Sequence, residues 1–307
     1  MKYKLKFILE IVIFVLIFML VFDKLTLLLV KKGNGFGTDV LDFYKRKENS
    51  IDVLFLGSSH AYTSFNPDII KEKTNLESYI FATQQQPIWI TYYYLEEALK
   101  YQNPKYVVLE VHMLTAFNYE YTEESITRDA IDKMKFSLNK INANKASLEK
   151  KDRIKYYFNI VKYHSRYKQL IKDDFNIAFR GYTINNKGYK ALLYKKNVFD
   201  VNKIEYSNHK IGLSDKNKEY LNKIINLCKK NNIKLMFVKT PAIYNKYSCA
   251  RLNSVDKIAD DNDILFINYI KDINKLNFNY DIDFFDSGHL SWLGSNKLTL
   301  DFIKYLK

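Results

Sequence analysis

Two short runs in this sequence carry residues able to act on one another: Gly57-Ser58-Ser59-His60 and, near the other end, Asp286-Ser287-Gly288-His289. A serine hydroxyl is a weak nucleophile at neutral pH. It needs a base within hydrogen-bond reach, and the base needs a third group that fixes its tautomer and orientation. Ser59, His289 and Asp286 are of the right types for nucleophile, base and orienting carboxylate, with Asp286 and His289 on a single turn. Each run also has an ordinary reading when taken alone. Ser58 and Ser59 are what a helix N-cap looks like, and Asp-x-x-His is a common structural pairing. The combination and its placement favour chemistry.

The elements that must position these residues are legible around them. Residues 51–56 are an apolar run opened by Ile51 and Val53, as expected of a strand buried on both faces of a parallel sheet. Gly57 then lets the chain turn sharply, and in open α/β sheets ligands sit at such carboxyl ends of strands. Further strands are expected at 78–82, 105–113, 233–238 and 264–267. Helices are expected at 67–73, 87–101, 214–231 (with Ser214 as N-cap), 253–260 and 290–306. This alternation argues a three-layer α/β/α domain with a doubly wound, mostly parallel five-stranded sheet. Between about 116 and 210 the alternation lapses into a Lys-, Asn- and Tyr-rich insertion with helical periodicity at 123–138 and 151–171. Insertions of this kind often shape the cleft. The stretch from Phe179 through Arg180 and Tyr182 to Tyr189 reads as a turn near the cleft or as a plain surface hairpin.

The two runs resemble the first and last motif blocks of the SGNH (GDSL-like) hydrolase superfamily, and the spacing agrees along nearly the whole chain after residue 50. The Leu56-Gly57-Ser58-Ser59-His60 block, the strand containing Glu110, the strand end Lys239-Thr240-Pro241 and the Asp286-to-Leu290 block look like its membrane-anchored envelope branch, the polysaccharide O-acetyltransferase- or esterase-like proteins. The D-alanyl-lipoteichoic acid biosynthesis protein is a more distant likeness. The resemblance implies a flavodoxin-like sheet order, with Ser59 as nucleophile, His289 as base, Asp286 as its partner, and Ser58 where many members have Asp. Two departures stand out. The third strand lacks the Gly-x-Asn block whose Asn helps bind the oxyanion, and the second block reads Phe81-Ala82-Thr83-Gln84-Gln85-Gln86-Pro87. The oxyanion donors expected here are the Ser59 N–H and a group from Thr83, Gln84 or Gln85. Gly57-Ser58-Ser59-His60-Ala61 also nears the Gly-x-Ser-x-Gly elbow of α/β-hydrolases, but there acid and histidine normally come from separate loops. His60 is an alternative base, although a sequence neighbour usually points away from the serine in a tight turn; it can instead line the cleft.

Composition places the domain. The 307 residues carry 48 Lys and Arg against 34 Asp and Glu, a net charge of +14, which suits an anionic membrane surface, an acidic polymer or nucleic acid. No nucleic-acid module is visible. Residues 1–32 read as a cytoplasmic tip and uncleaved signal anchor: Lys2, Lys4 and Lys6 precede a largely apolar span at 7–30, broken by Glu10, Asp23 and Lys24, and no small-x-small cleavage site follows it. Residues 33–50, with Gly33, Gly35 and Gly37, form a linker, and 51–307 form the extracytoplasmic domain. Cys228 and Cys249 can pair, or stay free. No metal-ligand spacing, phosphate loop or cofactor motif is present, and Asp260, Asp261 and Asp263 read as a solvated turn. The expected function is serine-dependent acyl transfer, most simply of acetyl, or ester hydrolysis on an envelope glycan or teichoic-type polymer, with a multi-pass membrane protein supplying the acyl donor. The alternative is an inactive member of the same fold that binds an anionic polymer.

Overall fold

The computed structural model describes residues 2–30, 40–116, 121, 123–151, 153–181, 185–196 and 198–306. Five strands, β1 (Val53–Gly57), β2 (Ser78–Ala82), β3 (Tyr106–Glu110), β4 (Lys234–Lys239) and β5 (Leu265–Asn268), form one all-parallel sheet. Its order is β2-β1-β3-β4-β5, the flavodoxin-like doubly wound order whose switch point lies between β1 and β3. Every residue of β1, β2 and β3 is buried, so these strands read in sequence as nearly continuous apolar runs, with Ser78 and Glu110 at their ends, rather than alternating ones. The expected five-stranded α/β fold is met.

Eight helices of eight residues or more accompany the sheet among the described residues: α1 (Lys2–Leu29), α2 (Pro67–Thr74), α3 (Ile88–Ala98), α4 (Glu124–Ile131), α5 (Leu138–Ser147), α6 (Asp215–Lys230), α7 (Lys246–Asp260) and α8 (Trp292–Phe302). Side-chain caps start several of them. Asn66 accepts from Asp68 N with Pro67 at the first helical position, Ser214 accepts from Asn217 N, and Asn245 accepts from Ser248 N. α6 buries Tyr220, Leu221, Ile224, Ile225 and Cys228 and packs on α3, which also meets α5; α2 packs on α8. Both cysteines are free and buried, and burial pushes the Cys228 thiol up to about 12.

Four stretches differ most from the sequence reading, the first being 123–138, whose helix stops at Ile131 before a separate one starts at Leu138. β3 ends at Glu110 rather than 113, because the chain turns into the short helix His112–Ala116. α7 begins seven residues early, at Lys246, where the Asn245 cap starts it. The periodic stretch 151–171 is not one helix. Phe158 is extended (φ −122°, ψ 100°) and separates Ile154–Tyr157 from Asn159–Tyr163, after which His164–Gln169 winds as a 3₁₀ helix. Tertiary anchors override the period there: the Asn159 amide donates to Asp132 O at 2.5 Å, and Tyr156 lies under the Arg128 guanidinium, 3.9 Å from ring centroid to Cζ.

The linker glycines Gly33, Gly35 and Gly37 lie outside the described residues. The part of the linker that follows is a helical turn, Val40–Phe43, whose Phe43 stacks on Phe81 at 4.3 Å. α1 is long and apolar enough to cross a membrane, and it is exposed from Tyr3 to Val21.

Candidate active site

The carboxyl end of β1 delivers the nucleophile candidate because Gly57 can adopt φ +144° there. A Cβ at Gly57 would stand 2.9 Å from Glu110 Cβ and 3.1 Å from Glu110 O, so only glycine lets β1 pass β3 this closely. The helical turn Ser59–Tyr62 follows at once. Its first residue, Ser59, keeps partial solvent access, while Ser58 and His60 on either side are buried.

The partner residues come from a tight loop before α8. Phe284 and Leu290 pair across its neck, and Phe285 N donates to His289 O at 2.9 Å. Inside the loop, Asp286 Oδ1 accepts from the N–H groups of Gly288 and His289, each at 2.8 Å, an Asx-type turn that aims the carboxylate at its own chain. Ile243 N donates to Ser287 O at 2.8 Å and ties the loop to the segment leaving β4. The nearby Asp283 does a different job: fully buried, it pairs with Lys297 at 2.6 Å and accepts from Asn279 N.

The loop and the β1 turn meet. His289 Nδ1 lies 2.9 and 3.0 Å from the two Asp286 carboxylate oxygens, and His289 Nε2 lies 2.8 Å from Ser59 Oγ. With Nδ1–H donating to the carboxylate, Nε2 is free to accept the serine proton. Burial alone would raise the Asp286 carboxyl. The hydrogen bonds and charge of His289, with the Gly288 and His289 N–H groups, outweigh it and hold the group below its usual range. The arrangement is that of a hydroxyl, an imidazole and a carboxylate in series.

His60 lies beside His289, ring centroids 4.9 Å apart, and its polar contact is to Thr240. Its ring stacks on His112 at 3.6 Å, its Nδ1 lies 3.4 Å from Thr240 Oγ1, and a Cβ on Gly288 would touch its far edge. Burial, then the neighbouring His112, Lys239 and His289, push His60 well below its ordinary value; burial, then Lys239 and His289, do the same to His112. Both rings are neutral at pH 7. Thr83 turns inward as well, its N–H and hydroxyl both donating to Gln86 Oε1 at 3.0 and 2.9 Å, while Gln86 Nε2 donates to Thr91. Gln84 and Gln85 are exposed, Gln85 with φ +47°. Ser58 Oγ is buried with no hydrogen-bond partner.

Sequence reasoning gave no role to the support beneath the site. Lys239 Nζ meets Glu110 Oε1 at 3.1 Å with both side chains essentially inaccessible, and Glu110 also accepts from Thr240 Oγ1 and from His112 N. Tyr244 OH sits 2.9 Å from His112 Nδ1 and 2.7 Å from Thr115 Oγ1. The available signal was a charged residue closing each of two apolar strands, β3 and β4. Tyr62 was also missed. Its phenol is buried, and that burial, followed by the charge of Asp129 on α4, pushes its pKa up. Among the described residues no group of His, Cys, Asp or Glu is placed to hold a metal ion.

No protein family and no curated protein matches the sequence. Solved structures do resemble the fold. An acetyl xylan esterase, AlAXEase, aligns over 84% of this chain and 100% of its own with a TM-score of 0.42 and 15% identity. A putative acylhydrolase from Bacteroides fragilis aligns over 88% and 99% with a TM-score of 0.40 and 11% identity. BT4096, a gut microbial diltiazem-metabolizing enzyme, aligns over 85% of this chain and 47% of its own, at 0.29 and 13%. At such scores these likenesses bear no weight in assigning what the chain does; the side chains at the end of β1 carry that.

Proposed function

We propose that the chain is a membrane-anchored serine acyltransferase or esterase working outside the cytoplasm on an envelope glycan or teichoic-type polymer. The observation that carries this reading is the continuous hydrogen-bonded series Ser59 Oγ, His289 Nε2, His289 Nδ1, Asp286. Ser59 Oγ attacks the acyl carbonyl as its proton passes to His289 Nε2, and the resulting imidazolium gives that proton to the departing alcohol oxygen. Asp286 keeps the ring in the tautomer this requires. A hydroxyl of the polymer then attacks the acyl-Ser59 ester, losing its proton to His289; if water attacks instead, the outcome is hydrolysis. The Ser59 N–H, at the start of the turn that follows β1, is the donor this reading assigns to the oxyanion. His60 is not the base, because its ring is held against His112 and Thr240.

The proposed location is supported by α1, with Lys2, Lys4 and Lys6 assigned to the cytoplasmic side by the positive-inside rule. The net charge of +14 suits an anionic polymer as acceptor, and a multi-pass membrane partner would deliver the acyl donor. The test is intact mass of the full chain in detergent after a fluorophosphonate or an activated acetyl ester, beside Ser59→Ala and His289→Ala. One adduct, lost in both variants, is expected. An adduct that persists in Ser59→Ala, or none on the unaltered chain, overturns the reading; binding of the polymer without any adduct would favour a non-catalytic role.

A further inference from the structure

The insertion packs around one end of α1. The segments Asn159–Tyr163, His164–Gln169, Lys172–Phe175 and Asn176–Arg180 all contact that helix. Lys24 Nζ donates to Ala178 O at 3.0 Å. Arg166 Nη1 donates to the carbonyls of Leu28, Leu29 and Val30 at 3.1, 3.4 and 3.4 Å, while its Nη2 holds both Asp174 carboxylate oxygens at 2.8 Å. That guanidinium satisfies the last carbonyls of α1, which a helix end otherwise leaves open. Phe22 meets Phe158 edge to face at 6.4 Å. On the outside of this wrapping, Phe158, Val161, Tyr167, Ile171, Phe175 and Phe179 stay exposed, Ile171 by 60% and Phe179 by 57%. Lys168, Lys172 and Arg180 are exposed among them.

The length of α1 says what covers these side chains. Contact with the domain begins at Phe22, and the stretch left bare runs from Tyr3 to Val21, about 28 Å at ~1.5 Å per residue. Its properly apolar part, from Phe7 onward, is only about 22 Å, against a hydrocarbon core of about 30 Å. The bare stretch is too short by itself. A bilayer spanned by α1 must therefore continue up to the turns between Phe22 and Val30, and those are the turns the insertion packs against, Asp23 to Leu25 staying exposed.

We infer that residues 158–180 form a second, peripheral membrane contact: a collar of aromatic and aliphatic side chains set into the headgroup-to-acyl boundary of a phospholipid bilayer around α1. This rests on the reading of α1 as a membrane span. The collar has the composition such surfaces need, with aromatic and aliphatic groups to bury and interleaved Lys and Arg to meet lipid phosphates. It fixes the domain against the membrane plane, where a single helix would let it pivot.

The test is collision accessibility of spin labels on the full chain in nanodiscs of phosphatidylcholine and phosphatidylglycerol. Single labels go at Ile171→Cys and Phe179→Cys in the collar, at Phe14→Cys in α1, and at Tyr247→Cys, an exposed site on α7. The buried Cys228 and Cys249 set the background in the unaltered chain. Labels at 171 and 179 are expected to show a ratio of oxygen to water-soluble nickel-chelate collisions several-fold above that at 247, approaching the ratio at 14. Collar labels matching 247 while 14 reports lipid would overturn the collar and spare the anchor; shielding from both reagents would mean a protein partner or second copy covers the patch, and also overturns it. A label at 14 that reports water would bring down the anchor reading itself.

Discussion

The end of the sheet and the insertion are built on opposite principles. At the carboxyl ends of β1, β3 and β4, backbone register places every group: Gly57 lies against Glu110, Lys239 reaches Glu110, and the 286–289 turn holds its own carboxylate. The insertion has short helices broken wherever an anchor demands it, and its order comes from side chains such as Arg128 on Tyr156 and Arg166 on Asp174. On the proposed function, the sheet end would set the chemistry, and on the collar inference the insertion would set where that chemistry is held. One short helix joins them. α4 pairs Glu124 with Lys162 beside the proposed collar at 2.6 Å and carries Asp129, whose charge acts on Tyr62.

Four measurements would sharpen or break this division. The largest effect is expected from Ser59→Ala or His289→Ala, each lowering hydrolysis of an aryl acetate by about 10⁴-fold or more, with the double variant no worse than either single one. Additive losses would show that the residues do not act as a unit. Next comes Glu110→Gln, which leaves Lys239 charged and unpaired in the interior; breaking such a pair costs about 3–5 kcal/mol, a fall in Tm of roughly 6–20 °C. Glu110→Leu combined with Lys239→Met should recover most of that loss, and an undiminished Tm in Glu110→Gln would refute the support role.

In the insertion, Arg166→Ala should cost about 1–3 kcal/mol, seen as faster proteolysis of residues 158–180, while the rate on a soluble aryl acetate stays within about twofold. A loss as large as that of Ser59→Ala would mean the two regions are not separable. The smallest effect concerns pH. The folded-state values of His60 and His112 are pushed below the unfolded value of about 6.5, so between those limits the unfolded chain binds more protons and stability rises with pH. Tm should be level above about pH 6.5 and fall below it; the groups facing the pair are Lys239, Glu110, His289 and Tyr244. His60→Gln should flatten that fall. The Asp286 contribution, from a depressed carboxyl, is lost only in the lower window beneath about pH 4.

What could be read in advance follows the same division. β1, β2 and α6 lay almost where the apolar runs and the Ser214 cap put them, because burial on both faces and a side-chain cap are written locally. The pairing of Ser59 with the 286–289 turn was legible because each run is a compact motif in its own right. Glu110 with Lys239, and His60 on His112, were not, since each pair is made only when strands distant in sequence come into register. The stretch 151–171 misled for the converse reason. Its period is helical, but Asn159 and Tyr156 are pulled to partners more than twenty residues upstream. Arg180, placed near the cleft as one possibility, ends a turn packed on α1 instead.

Ser59 and His289 are separated by 230 positions, and that distance orders events during synthesis. The ribosome releases Ser59 long before His289, by about 10–50 s at ordinary elongation rates. Through that interval Ser59 is an ordinary alcohol, inert toward any ester it meets. On the proposed function, the chain would become chemically competent only when its final turn and α8 close onto β1, and a polypeptide stalled or clipped before residue 286 would be silent rather than half active.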